Sequence, residues 1–280
     1  MSQPPPPLTL LYVPADRPDR VRKALTSDAD VVLVDLEDAV APARKDEARA
    51  NAVRLLADAS PARPVQVRIN HPSTPWHEAD VAALAGLPLA VGARIPKVEA
   101  TAEVRKLAAA LPQRALHLLI ESALGVEHAM DIATAAPQVA SIGLGEADLR
   151  SDLRVVDETG LSWARSRVVV AARAARLPPP VMSAYPNVRD LDGLAESCRT
   201  GRALGFRGRT AIHPAQLNPI RTAFLPTTEE VRRAREVVAR LNGATAAGVG
   251  ALALPDGTFL DVAMLEQART ILALATPRTR

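Results

Sequence analysis

The 280-residue chain is poor in aromatic residues, which make up 2% of it: three Phe, two Trp and two Tyr. Its core must therefore be assembled from Ala, Leu and Val, within an overall hydrophobic content of 48%. Scarce aromatics also remove the stacking platforms on which single-stranded nucleic acids bind. Lysine is nearly absent: of 34 basic residues only Lys23, Lys45, Lys97 and Lys106 are lysines, so the net charge of +3 reflects scattered arginine and no clustered basic stripe. Nucleic-acid binding is excluded on both counts, while an anionic small substrate stays compatible. Cys198 is the single cysteine, which rules out an intrachain disulfide and makes a cytoplasmic location the expectation. No apolar run reaches membrane-spanning length, and the start MSQPPPPLTL lacks the basic flank and apolar segment of a signal peptide, so no membrane association is expected.

What the chain does have is alternation. Short apolar runs recur at about 8–13, 31–36, 65–70, 91–97, 116–121, 139–144, 180–185 and 209–213. Helical patterns fall between them, including 17–26, 44–58, 100–111, 124–135, 161–176, 190–204 and 215–224. Strands alternating with helices predict an α/β fold with a parallel sheet, and eight such units predict a (β/α)8 TIM barrel. An open doubly wound sheet is the runner-up, but it would want a Gly-rich phosphate turn, and no G-x-G-x-x-G occurs. The expected organisation is a Pro-rich tail at 1–7, a barrel at 8–225 and a C-terminal arm at 226–280. In that arm Thr227 and Glu230 have capping-box spacing, NGATAAGVG reads as a break, Asp256-Gly257 as a hairpin turn and 262–274 as a final helix.

Barrel enzymes carry their chemistry at the C-terminal ends of the strands. Those ends here supply Tyr12 and Pro14; Asp35, Glu37 and Asp38; Arg68 and Asn70; Lys97 and Glu99; Glu121; Glu146 and Asp148; Tyr185; and His213. Glu121 and Asp148 follow consecutive apolar runs. Two carboxylates so delivered suffice for Mg²⁺, which keeps coordination positions for water and substrate oxygens. Alternatives stay open for the neighbours. Arg68 is either a substrate contact or an ion-pair partner of Asp35 or Glu37. Lys97 is a Schiff-base lysine or a structural or substrate-binding charge, and His213 caps a turn or lines a cleft.

Ten segments in order resemble the citrate lyase β-subunit-like family, which includes citramalyl-CoA and malyl-CoA lyases: VPADRPDRVRKAL, VVLVDLEDAV, VRIN, IPKVE, LIESALGV, GLGEADLRSDL, ARSRVVVAARAARLP, RDLDGL, ALGFRGRTAIHPAQL and DGTFLDVAML. The resemblance implies a Mg²⁺-dependent lyase that cleaves a 3-hydroxyacyl-CoA into acetyl-CoA and an α-keto acid, or runs the reverse condensation. It further implies a barrel with a C-terminal arm assembled as a trimer or hexamer. Two other roles are compatible: the β subunit of a citrate lyase complex acting on a carrier-protein thioester, and a non-catalytic CoA-ligand-binding homologue. By motif, Glu121 and Asp148 correspond to the metal acids, Arg68 to the arginine touching the reacting substrate, and Glu37 and Asp38 to groups organising water around the metal. Asp261 corresponds to an aspartate reaching into a neighbouring subunit's site; read by itself it is a helix N-cap. Arg17 and Lys23 fall in the segment associated with CoA phosphates. Arg150 and Arg154 stand in the metal loop where relatives carry small residues.

Overall fold

A computed structural model describes residues 6–60, 64–246, 252–253, 259–260 and 262–275. The chain divides into two compact units, 1–221 and 222–280. In the first, β1 (Thr9–Pro14), α1 (Pro18–Leu25), β2 (Val31–Asp35), α2 (Lys45–Leu56), β3 (Val65–Arg68), α3 (His77–Ala85), β4 (Val91–Ile95), α4 (Thr101–Ala110) and β5 (Leu116–Ile120) alternate strictly. There follow α5 (Ala123–Glu127), α6 (Ala129–Ala133), β6 (Val139–Leu144), α7 (Glu146–Asp152), α8 (Ser162–Ala174), α9 (Leu191–Ala203) and β7 (Arg209–Ala211), and α10 (Leu217–Phe224) spans the boundary between the units. All seven strands join one curled parallel sheet in the order β6-β5-β4-β3-β2-β1-β7.

Seven of the eight expected strands form. The seventh run, 180–185, is reduced to a single parallel bridge, Met182 to Arg209. Its backbone pairs only toward β7, with Met182 N donating to Gly208 O and Thr210 N to Met182 O at 3.0 Å each. Toward β6 the ladder is replaced by one side chain: Ser183 Oγ donates to Leu144 O at 2.5 Å and accepts from Glu146 N at 2.9 Å. The sequence reading also missed α3 and α7. Helix α7 is hidden because its seven residues, EADLRSD, carry little apolar periodicity.

Register explains why polar groups collect. Paired residues in neighbouring parallel strands point to the same face, and Asp35, Arg68, Arg94, His117 and Ser141 are successive partners across β2 to β6. The intervening positions, such as Val34, Val67 and Ala93, are 0–1% exposed and face the opposite way.

The turn after β2 is fixed from behind by a buried lysine. Lys45 Nζ donates to Leu36 O at 2.7 Å, Glu37 O at 2.8 Å and Asn70 Oδ1 at 2.7 Å. Asn70 Nδ2 in turn donates to Asp80 at 2.6 Å, so the loops after β2 and β3 are locked together.

In the second unit α11 (Thr228–Ala246) and α12 (Val262–Ala275) pack through Ala234, Val237, Leu241 and Ala268, and β8 (Leu252–Ala253) pairs antiparallel with β9 (Phe259–Leu260). The capping box is present: Glu230 N donates to Thr227 Oγ1 at 3.1 Å and Thr227 N to Glu230 Oε2 at 2.7 Å. Helix α11 runs through Asn242 and Gly243 to Ala246, where a break was expected, because flanking alanines offset the cost of one helical glycine. The Pro-rich stretch 1–5, the Asp256-Gly257 turn and Asp261 lie outside the described residues.

Replacing Lys45 by Met should remove three buried charge-assisted bonds and lower stability by about 2–4 kcal/mol. Chemical denaturation checks this, and an unchanged midpoint would contradict the locking role.

Candidate functional site

Arg68 closes β3 and is held by the acids that close β2. Its Nε and Nη2 donate to the two oxygens of Asp35 at 2.7 and 2.6 Å. This is a planar fork of the kind only arginine makes. Nη1 lies 2.7 Å from Glu37 Oε2 without hydrogen-bond alignment, and 3.4 Å from Asp38. The guanidinium also stacks 4.8 Å over the Tyr12 ring. Asp35 is itself immobilised, accepting from the N–H groups of Glu37 (2.9 Å) and Ala39 (3.2 Å). The ion-pair reading of Arg68 therefore describes this structure, and the same fork turns Nη1 toward the half-exposed Asp38.

Lys97 follows β4 in a left-handed conformation, φ 54°, which costs a non-glycine residue about 1–2 kcal/mol. The bend turns Nζ among the acids: Glu37 at 2.7 Å, Asp38 at 3.6 Å and Asp148 at 4.0 Å. Burial works against its charge, but Glu37 and Asp38 outweigh that and raise its pKa above the usual lysine value. An ammonium held protonated is a poor Schiff-base nucleophile, so the structure assigns Lys97 as a charge.

Glu121, directly after β5, is the most constrained acid. It is 4% exposed and its Oε2 has no hydrogen-bond partner. Burial, with Glu37 and Asp148 adding like charge, pushes its pKa from 4.5 up to about 8. Gly145 makes room for it, since a Cβ there would sit 2.3 Å from Glu121 Oε1. Asp148 stands on the first turn of α7 with its side chain 47% exposed. Glu121, Asp148, Lys97, Glu99, Ser122, His71 and Ser73 line one cleft of about 460 Å³. A buried, unpartnered carboxylate oxygen facing a second, solvated carboxylate is a donor set that fits one hard cation, with waters or substrate oxygens completing it. Among the described residues no group of three or more His, Cys, Asp and Glu forms a metal cage.

Sequence reasoning placed Glu146 in the polar ring beside Asp148, but it faces away. It is buried and gripped by Arg165, whose Nε and Nη2 each donate to it at 2.7 Å. Arg165 reaches Glu158 at 2.6 Å, and Arg150 also pairs with Glu158. Arg150 is thus committed to bracing the loop that carries Asp148, and it does not line the cleft. The Arg165 network went unnoticed because an arginine mid-helix, in SWARSRVVV, has no local signal of its partner.

The structure brings together Glu37, Asp38, Arg68, Glu121 and Asp148. Arg17 and Lys23 lie elsewhere, at the start and end of α1. Lys23 and Arg20 border a second cleft of about 380 Å³ whose other walls are 11–14 of β1 and Ile212–Pro214. Arg17 does not line it; its Nε sits 3.9 Å from Asp16. His213 borders that cleft and also caps the following turn, Nδ1 accepting from Ala215 N at 3.1 Å.

A family model described as HpcH/HpaI aldolase/citrate lyase matches residues 8–214. The (3S)-malyl-CoA thioesterase of Cereibacter sphaeroides is 35% identical over 275 residues, 95% of this chain and 94% of that protein. Citrate lyase subunit beta of Leuconostoc mesenteroides subsp. cremoris is 31% identical, covering 95% and 92%. The crystal structure of CitE from Mycobacterium tuberculosis with magnesium, acetoacetate and coenzyme A superposes with a TM-score of 0.84 at 33% identity, covering 96% of this chain and 98% of that one. Among the described residues no helix is long and apolar enough to cross a membrane.

The raised pKa of Glu121 fixes a sign. Its folded form binds a proton more tightly than the unfolded chain, so between about pH 4.5 and 8 the folded state holds the extra proton and stability falls as pH rises. Metal-free protein should lose several kcal/mol over this window, on the order of 1.4 per pH unit. Glu121→Gln should flatten that part of the curve. Urea midpoints measured at intervals of pH test this, and an equal slope in wild type and variant would refute it.

Proposed function

The chain belongs to the HpcH/HpaI aldolase/citrate lyase family, and from that premise we propose that it is a magnesium-dependent carbon–carbon lyase. Its substrate is a 3-hydroxyacyl thioester of the malyl, citramalyl or citryl type, cleaved to acetyl-CoA and an α-keto acid or formed from them, on a (β/α)8 frame. The observation carrying this reading is the buried, unpartnered Oε2 of Glu121 beside the solvated Asp148. Binding of CoA, keto acid and magnesium by the similar CitE supports it.

Glu121 and Asp148 would hold the cation, which when bound would supply Lewis-acid chemistry to the hydroxy acid. The remaining work falls to the chain's own groups. Cleavage requires loss of the hydroxyl proton, and it leaves charge on the departing thioester enolate. Arg68, pinned by Asp35, presents a fixed donor edge to that charge, a contribution typically worth about 3–4 kcal/mol. Lys97 steadies Glu37 and Asp38, which would accept hydrogen bonds from water beside the cation. Asp261, delivered by the arm of an adjacent copy in a trimer or hexamer, exchanges a proton at the acetyl carbon. Lys23, with Arg20 beside it, offers positive charge to CoA phosphates, and Arg17 adds to it from the start of α1. Hydrolysis of the thioester is a second reading, favoured by the 35% identity to a (3S)-malyl-CoA thioesterase.

Glu121→Gln and Asp148→Asn keep size and delete charge. Each should weaken magnesium binding at least tenfold in calorimetry while the melting temperature is retained or raised. Unchanged affinity in both variants would end the metal assignment.

Separate Asp261→Ala and Glu121→Gln proteins should each be nearly inactive. Co-expressed, they should recover on the order of a quarter of wild-type turnover, because one copy's intact acids meet another's intact arm, the two acting as one unit. Mixed assemblies that stay inactive would show that Asp261 serves its own chain or none.

A further inference from the structure

The loop after β3 places a nucleophile and a base in the same cleft as the metal acids. His71 and Ser73 both line it, alongside Lys97, Glu121 and Asp148. Ser73 Oγ lies 2.8 Å from His71 Nδ1, and the backbone N–H of Ser73 points at the same nitrogen at 3.3 Å. A backbone N–H can only donate, so Nδ1 is the unprotonated nitrogen of the ring and Ser73 Oγ–H donates to it. The backbone of His71 is held in place as well. Thr74 returns both its N–H, at 2.9 Å, and its hydroxyl, at 2.8 Å, to His71 O. The preceding Asn70 is anchored to Lys45 and Asp80, and its carbonyl is 2.7 Å from His77 Nδ1. Partial burial lowers the pKa of His71, which keeps the imidazole in its basic form near neutrality.

We propose that Ser73 and His71 form a hydrolytic dyad that draws part of the bound 3-hydroxyacyl thioester away from carbon–carbon cleavage. Ser73 Oγ attacks the thioester carbon, the C–S bond breaks, and the hydroxyl proton passes through His71 to the departing CoA thiolate. Water then attacks the acyl-serine, giving its proton to His71, which returns it to Ser73 Oγ as the hydroxy diacid leaves. No oxidant or further reactant is consumed. Lys97 lies on the same wall and offers positive charge to the oxyanion. This rests on the reading of the cleft as an acyl-thioester site.

The test incubates the full-length protein and magnesium with malyl-CoA and with citramalyl-CoA, and quantifies hydroxy diacid against keto acid. Wild type should form both products. Ser73→Ala and His71→Gln should each lower the ratio of hydroxy diacid to keto acid at least tenfold, and quenched wild type should carry an acyl adduct on the peptide containing Ser73. Keto acid as the only product of wild type, or hydrolysis undiminished in Ser73→Ala, overturns the dyad and leaves the lyase reading standing. Neither product from either thioester overturns both.

Discussion

Five carboxylates meet two cations at the ends of β2, β5 and β6, and the rest of the site is arranged around that imbalance. Asp35, Glu37 and Asp38 share Arg68, while Glu37, Asp38 and Asp148 share Lys97. Neither cation gives Glu121 Oε2 a hydrogen bond. At separations near 4 Å and an effective dielectric near 20, like charges repel by about 4 kcal/mol, so such a cluster survives only on a frame that prevents it from spreading. That frame is visible residue by residue. Asp35 is fixed by two backbone N–H groups, the Leu36–Glu37 turn is tied to Lys45 from behind, and Glu121 is seated against Gly145.

Buried and solvated members of the cluster divide the work. Glu146 and Arg165 make a doubly bonded pair out of water's reach, and that pair sets the orientation of α7. Asp148, two residues on, is left in solvent, free to take a cation without first breaking a bidentate bond. Ser183 performs the analogous service on the other side of Glu146, replacing a missing strand ladder with one hydroxyl that both donates and accepts. The weak point of the sheet, where 180–185 contributes a single bridge, is thus spanned beside the loop that carries Asp148.

Much of this was legible in the sequence. The seven strands announced themselves as apolar runs, and the acids fell at their ends because parallel α/β sheets expose those ends to ligands. The run at 180–185 misled because VMSAY has strand composition, while toward β6 the Ser183 hydroxyl, a tertiary contact, takes the place of a backbone ladder. Helix α7 was illegible for the opposite reason: its residues are chosen to hold Asp148 and Glu146, not to bury a face. The side-chain ties were out of reach of local patterns. Lys45 joins residues from two different loops, and Arg165 joins groups 19 positions away. Separations of that size leave no periodicity to read.

Local rules are broken where the chemistry is concentrated, and each violation has an identifiable return. Lys97 accepts a left-handed backbone, which puts its ammonium among three acids. Glu121 accepts burial without a hydrogen-bond partner, which gives a carboxylate oxygen ready for a cation. Lys45 accepts burial of an ammonium, which fixes the turn bearing Glu37. The bend at Lys97 and the unpartnered burial of Glu121 each cost stability, whereas Lys45 offsets its desolvation with three buried hydrogen bonds. Violations that cost stability and share one cluster are what a functional site leaves in a sequence that otherwise obeys its patterns. Here they surround the cleft at the C-terminal ends of the strands, and the pair at its wall, His71 and Ser73, is positioned from the same Asn70 that anchors Lys45.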